Sequence, residues 1–189
     1  RGLTAVDIVI LSHHHTDHFG GMGQVIREFK PRYFMASGSS HTTKSYLRLL
    51  ETVKEEGVTM VEPTEKLRKI ELGSVLLTIL PQPPENTKEE NDNSIAVRLQ
   101  YGEFSVLMTG DSEEGSRTWW RSKASALLSD CTILKLAHHG SHNGTDQNWL
   151  DLTQPQLAVA SLGFDNSYGH PHQETLTLLR KNKIPLVRT

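Results

Sequence analysis

Cysteine is almost absent: Cys131 stands alone in 189 residues, which excludes an internal disulfide and any cage of several thiolates around a metal. An excess of one charge is missing too. Twenty basic side chains face 22 acidic ones, for a formal net charge of −2, so no polycationic face advertises nucleic acid or an acidic membrane, and any polyanion must be held locally. No apolar run approaches the roughly 20 residues of a membrane-spanning helix. With 36% apolar and 22% charged residues, the composition is that of an ordinary globular domain with its own core, and one domain over 1–189 is expected. The chain opens on Arg1 without a methionine and stops at Val187-Arg188-Thr189 as a strand begins. It reads as a soluble fragment of a larger protein.

Short apolar or β-branched runs recur at 5–11, 32–36, 58–61, 67–71, 75–80, 94–100, 104–109, 131–137, 157–162 and 185–188. Most are bounded by Gly, Pro, Asn or Asp, and they predict strands. Helical patterns lie between some of them, over 22–29, 43–56, 113–129, 145–152 and 173–182. Leu47, Leu50 and Val53 form the apolar stripe of the second, and Gly57 and Asn182 are plausible stops. A hairpin across Gly102 would join 94–100 to 104–109. The mixture argues an α/β domain with sheets covered by helices. There is no repeat or low-complexity tract, and the one long polar loop, 81–93, has a length that is often functional.

Histidine is what the sequence has in quantity. Of 10 in the chain, four stand in Ser12-His13-His14-His15-Thr16-Asp17-His18-Phe19-Gly20-Gly21, directly after the first apolar run. A turn leaving a buried strand can aim His13, His15, Asp17 and His18 into one cleft. Neutral imidazole with carboxylate suits zinc, iron or manganese. His14 should point the other way and is left out of the site. Further donors stand at other strand ends: Thr109-Gly110-Asp111 after 104–109, His138-His139-Gly140-Ser141 after 131–137, and Tyr168-Gly169-His170-Pro171-His172 after 157–162. Asp111 is suited to bridging two cations. Lys135 could equally reach a phosphate or be a solvated strand residue. Trp119-Trp120 reads as a core anchor rather than a base-stacking pair.

The order H-x-H-x-D-H with Gly-Gly, then Thr-Gly-Asp, then a histidine at a later strand end, resembles the metallo-β-lactamase fold of binuclear hydrolases. More narrowly, Asn91-Asp92-Asn93-Ser94, Leu107-Met108-Thr109-Gly110-Asp111, Leu134-Lys135-Leu136-Ala137-His138-His139-Gly140-Ser141 and Tyr168-Gly169-His170-Pro171-His172 resemble the hydrolase domain of the ComEC family of DNA-uptake proteins. The resemblance implies an αββα sandwich of two mixed sheets with outer helices, with N-terminal strands missing before Arg1. It also implies two divalent metal ions, Zn2+ or Mn2+. Many relatives carry a third metal-binding histidine where this chain has Asp92-Asn93-Ser94, which leaves His138 or His139 to supply that ligand, as in the phosphorylcholine esterases. On that pattern His13, His15 and one of His138/His139 take the first ion, Asp17, His18 and His170 the second, and Asp111 bridges.

The implied activity is a phosphodiesterase that degrades the non-imported DNA strand with a metal-held hydroxide as nucleophile. Asp17, Asp111 and His172 are the catalytic candidates, with Tyr168 or the unassigned neighbour of the histidine pair as further partners for the leaving oxygen. Asn93, Ser94, Ser141, Asn143 and Asn166 are candidates for holding phosphate oxygens. The implied partners are single-stranded DNA and the membrane-embedded remainder of the same protein, on the extracytoplasmic side of the bacterial cytoplasmic membrane. The alternatives are a small-substrate hydrolase of the same fold, acting on a phosphocholine-type ester, a lactone or a β-lactam, and a metal-free assembly domain.

Overall fold

The computed structural model describes residues 2, 4–86 and 88–189. Strands β1 (Ile8–Ile10), β2 (Tyr33–Met35) and β3 (Thr59–Val61) form a three-stranded sheet in that order, parallel throughout. Helices α1 (Thr16–Phe19) and α2 (Met22–Phe29) carry the chain from β1 to β2, and α3 (Lys44–Glu55) carries it from β2 to β3. The second sheet has seven strands, in the order β10-β9-β8-β7-β6-β5-β4. Its antiparallel part is β4 (Arg68–Leu72), β5 (Val75–Ile79), β6 (Val97–Tyr101) and β7 (Phe104–Met108). Its parallel part continues through β8 (Ile133–Lys135), β9 (Leu157–Ala160) and β10 (Leu186–Arg188). Helices α4 (Glu114–Ala124), α5 (Gln147–Thr153) and α6 (Gln173–Lys181) precede β8, β9 and β10 in turn.

Among the described residues the larger sheet is mixed and the smaller is parallel, where two mixed sheets were expected. The reason lies in the links. Helical crossovers join every pair in the small sheet and so force parallel strands, whereas β4–β5 and β6–β7 are closed by tight turns at Gly73 and Gly102, both at positive φ (62° and 57°).

Three apolar layers hold the sandwich together. Leu107, Trp120, Leu134, Trp149 and Leu179 pack the large sheet against its helices, and Phe19, Ile26, Phe34, Leu49 and Val53 do the same for the small one. Between the sheets lie Met35, Leu77, Ile79, Ile95 and Val97. Within α3 the buried stripe is Tyr46, Leu49 and Val53, while Leu47 is 45% exposed. Periodicity marked Leu47 for burial, but Tyr46 takes the inward position because its ring packs on His14 (4.5 Å) and Phe19 (5.6 Å). Trp120 is an anchor as expected: it is fully buried and its indole N–H donates to Pro81 O at 2.9 Å. Helix α4 ends at Ala124, short of 129, and a single 3-10 turn over Ser125–Leu127 follows. Cys131 is buried in the large core, and burial pushes its thiol up to about 11, which makes it unreactive near neutrality. Among the described residues no helix is long and apolar enough to cross a membrane.

Candidate metal centre

The site begins where β1 leaves its sheet. Leu11 N still donates to Met35 O, and then the chain turns so that His15 precedes the single helical turn of α1. That turn brings His18 back against His13, with ring centroids 4.2 Å apart, and His13 Nε2 lies 3.1 Å from His15 Nδ1. Ser12 Oγ sits under both rings, 3.2 Å from His13 Nδ1 and 3.1 Å from His18 Nδ1. By accepting both Nδ1–H groups it turns both Nε2 atoms towards Asp111 Oδ2, at 3.8 Å for His13 and 3.2 Å for His18. Ser12→Ala is therefore expected to weaken metal affinity about 10- to 100-fold while the protein still folds; isothermal titration of metal-stripped protein with zinc checks this.

Asp111 approaches from the end of β7. The preceding Gly110 has φ 58°, and a Cβ there would meet Ser94 Oγ at 2.6 Å and Ser12 Cβ at 2.8 Å, so the turn admits only glycine. Ser94 Oγ accepts from Asp111 N at 3.1 Å. The carboxylate is buried, with Oδ2 3.2 Å from His18 Nε2, 3.4 Å from His139 Nε2 and 3.8 Å from His13 Nε2. Burial alone would raise its pKa, yet hydrogen bonds from His139 and His18 and their charge hold the carboxyl well below the usual range. Its Oδ1 is buried with no hydrogen-bond partner.

The third contribution comes from a tight turn after β8, in which His138 and His139 both adopt left-handed backbone (φ 47° and 54°). Non-glycine residues hold this conformation at a cost of order 1–3 kcal/mol each, which the surrounding fold must offset. His139 Nδ1–H donates to Ser161 O at 2.6 Å, and this fixes the tautomer that presents Nε2 to the centre. There Nε2 lies 3.2 Å from both Asp17 Oδ2 and His18 Nε2. One donor atom from each of Asp17, His18, Asp111 and His139 lies within 4.8 Å of the others. His138 faces the same cleft from its rim, with Nδ1 3.4 Å from Glu113 Oε1 and 3.5 Å from Asn91 Nδ2.

This arrangement fits cations. Imidazole nitrogens of His13/His15 and His18/His139 face each other at 3.1 and 3.2 Å, close to the ~3.3 Å between nitrogen ligands of a tetrahedral zinc with bonds of about 2.0–2.1 Å. The orphaned Asp111 Oδ1 completes a donor set with no protein partner. Two expected assignments change: His139 stands beside Asp17 and His18, in the place given to His170, and does not complete the set of His13 and His15. His170 stacks on His139 (6.2 Å, 18°) and borders the cleft, because Asn166 holds its backbone back through bonds to His170 N (2.8 Å) and O (2.9 Å).

Burial first, then His18, push His13 down to about 3. A His13 that protonates only there, against 6.5 in the unfolded chain, binds fewer protons when folded throughout that window. Metal-free protein is thus expected to lose stability as pH falls from 6.5 towards 3. His139 acts in the opposite sense. The hydrogen bond that protonated His139 donates to the Asp111 carboxylate raises its pKa, so its contribution is present at low pH and fades as pH rises through the folded value. The net loss from pH 7 to 5 should be about 1 to 2 kcal/mol, read from urea unfolding at the two pH values.

Other expected site residues serve the frame. Asn93 bonds Asn86 N, Asn86 O and Glu90; Ser94 holds Asp111; Ser141 is buried and its backbone N–H donates to His138 O, while Asn143 O accepts from the buried Arg117. None of these lines the cleft, because short polar side chains at turns bond their own backbone surroundings first. His172 also departs from its expected catalytic place. Its Nδ1 accepts from His142 N (3.1 Å), and its Nε2 donates to Tyr168 O (3.1 Å), so neither nitrogen is free for acid–base work. Lys135 Nζ donates to Leu136 O at 3.1 Å, and burial lowers its pKa against the pull of Asp111 and Asp17. His14 lies outside, as expected, 3.1 Å from Glu90 Oε1, and its backbone N–H donates to the same oxygen. Sequence reading missed Asn91 and Glu113 as cleft-side groups, and Glu90 as the clamp on the histidine turn; only the Asn91-Asp92-Asn93-Ser94 motif hinted at the first.

The cleft over these groups has a volume of about 770 Å3 and is bordered by Thr16, Asn91, His138, Tyr168 and His170. The beta-lactamase superfamily domain matches residues 1–160. The chain belongs to the beta-lactamase superfamily. The matched stretch holds every donor described above from His13 to His139, while His170 lies beyond it. This superfamily chain is 26% identical over its whole length to ComE operon protein 3 of Bacillus subtilis, and 28% identical over its whole length to competence protein ComA of Neisseria gonorrhoeae. It spans 24% of the length of each. Among solved structures it is similar to CmlA, a diiron beta-hydroxylase from Streptomyces venezuelae, with a TM-score of 0.64 at 15% identity over 98% of this chain and 44% of that one. That likeness is one of fold, the metallo-β-lactamase fold. The superfamily, the fold and the His/Asp site together support a metal-dependent hydrolase, in a chain similar to part of proteins named for competence.

Proposed function

We propose that this domain is a phosphodiesterase that cuts DNA during uptake for competence, using two divalent cations, Zn2+ or Mn2+. The observation that carries the reading is the convergence of His13, His18 and His139 on Asp111 Oδ2, with Asp17 in the same cluster, His15 against His13, and Asp111 Oδ1 left buried without a partner. On this reading His13 and His15 would hold one cation, Asp17, His18 and His139 would hold the other, and the Asp111 carboxylate would serve both. Bound there, such a pair supplies the charge that ionises water near neutrality and clamps phosphoryl oxygens. Around it the chain does three things. Ser12 and Ser161 O orient the imidazoles. Asn91 offers an amide at the cleft whose Oδ1 is buried and unpaired, while its Nδ2 donates to Glu113 Oε1 at 2.9 Å. His138, with Glu113 beside its Nδ1, can carry a proton to the leaving oxygen from its other nitrogen, a pairing of imidazole and carboxylate suited to acid–base work.

The name of one relative, a competence protein, supports a role in competence; single-stranded DNA as substrate and attachment to a membrane-embedded remainder on the extracytoplasmic side belong to the same proposal. A net charge of −2 fits a domain that relies on its cations for phosphate and receives its strand from a neighbouring part of the protein. The test is to incubate metal-stripped protein, reloaded with manganese or zinc, with end-labelled single-stranded DNA. Metal-dependent shortening is the expected result. Intact DNA with metal bound would move the reading to a small ester or carbonyl substrate.

A further inference from the structure

A second groove of about 300 Å3 continues sideways from the metal cleft. It shares Asp17, His139, Tyr168 and His170 with the cleft and then runs along Gly163 and Asn166 of the loop between β9 and α6. Two aromatic side chains stand on that loop, and both are far more exposed than their chemistry favours: Phe164 at 94% and Tyr168 at 77%. Phe164 directly follows Gly163, which lines the groove, and precedes Asp165, whose φ is 55°. Tyr168 stacks one face on His170 (5.8 Å, 19°), which leaves its other face to the groove and solvent.

The loop is pinned while its aromatic rings are not. Asn166 brackets His170 with two hydrogen bonds, His172 Nε2 donates to Tyr168 O, and His139 Nδ1 donates to Ser161 O. The rings are thus held outward on a fixed backbone, the preorganisation that lowers the entropic cost of binding a flat ligand.

We propose that this groove takes the nucleobase flanking the scissile phosphodiester of a single-stranded nucleic acid, with Tyr168 and Phe164 as stacking faces. The proposal rests on the phosphodiesterase reading and names its subsite. Base stacking on aromatic side chains is tolerant of sequence, and in a domain without a basic surface it supplies affinity that phosphate contacts do not. It also sets the register, since a base lodged beside His170 places its own phosphate over Asp17 and His139, which line both grooves.

The test compares binding of a short phosphorothioate oligothymidylate and an abasic strand of equal length to metal-loaded wild type, Phe164→Ala and Phe164→Trp. Wild type should prefer the base-bearing strand, Phe164→Ala should lose about 5- to 150-fold in affinity for that strand alone, and Phe164→Trp should restore it. Equal binding of the two strands by wild type, or an unchanged preference in Phe164→Ala, overturns the stacking subsite; cleavage of ordinary DNA in parallel then shows that the phosphodiesterase reading stands. Failure to bind or cleave any strand overturns both. Sedimentation of wild type, but not Phe164→Ala, with phosphatidylglycerol vesicles and without a base preference assigns the loop to a membrane surface and also overturns the proposal.

Discussion

Asp111→Ala should abolish metal-dependent cleavage of single-stranded DNA, with a fall of at least about 1,000-fold, since a cation's charge at the transferring phosphoryl is worth several kcal/mol. Asp111 is the group that cannot be replaced locally. Its Oδ2 lies within 3.8 Å of His13, His18 and His139, and its Oδ1 has no protein partner. Removing it separates two donor sets that share no other carboxylate oxygen at their centre. Loss through unfolding is separable from loss of chemistry, because the alanine also removes a buried charge; near-ultraviolet circular dichroism should match wild type. Activity within about 10-fold of wild type would remove Asp111 from the mechanism.

The neighbouring histidines should behave as opposites. His139→Ala takes away a nitrogen 3.2 Å from Asp17 and His18 and held in tautomer by Ser161 O, so binding of one cation should weaken by at least about 100-fold, comparable to or beyond loss of a group that only orients a ligand. His138→Ala removes a rim imidazole paired with Glu113. It should keep metal affinity within a few fold and slow turnover by about 100- to 10,000-fold, flattening the limb of the pH–rate profile that a general acid creates. Calorimetric zinc titrations with rate profiles for both variants distinguish the roles. Equal metal loss in the two would return His138 to the ligand set.

Much of the fold was legible because its strands are short apolar runs fenced by Gly, Pro, Asn and Asp, the pattern that β-sheet burial writes most plainly. The first half of the site was equally open, since His13, His15, Asp17 and His18 are adjacent in the chain. What stayed hidden depends on backbone geometry that residue type does not encode. The single turn of α1, four residues long, is too short for a helical period. The left-handed pair His138-His139 is a conformation that histidine adopts only when its surroundings compel it, so which ring turns inward could not be read from the order of residues. The phosphate-holding candidates show a related limit: Asn93, Ser94, Ser141 and Asn143 have the chemistry to bind a ligand but bond their own turn surroundings, while Asn166 lines the groove beside the cleft. Leu47 shows the same limit within a helix, where Tyr46 reached the core first.

Whether two cations act together on a phosphodiester is read by titrating manganese into metal-stripped protein, counting bound ions per chain by native mass spectrometry and, on the same samples, following the rate of single-stranded DNA cleavage. Binding should saturate at two ions per chain, and the rate should rise only as the second is filled. Saturation at one ion with full activity, or two ions bound with DNA left intact, would contradict joint action of two cations on a phosphodiester.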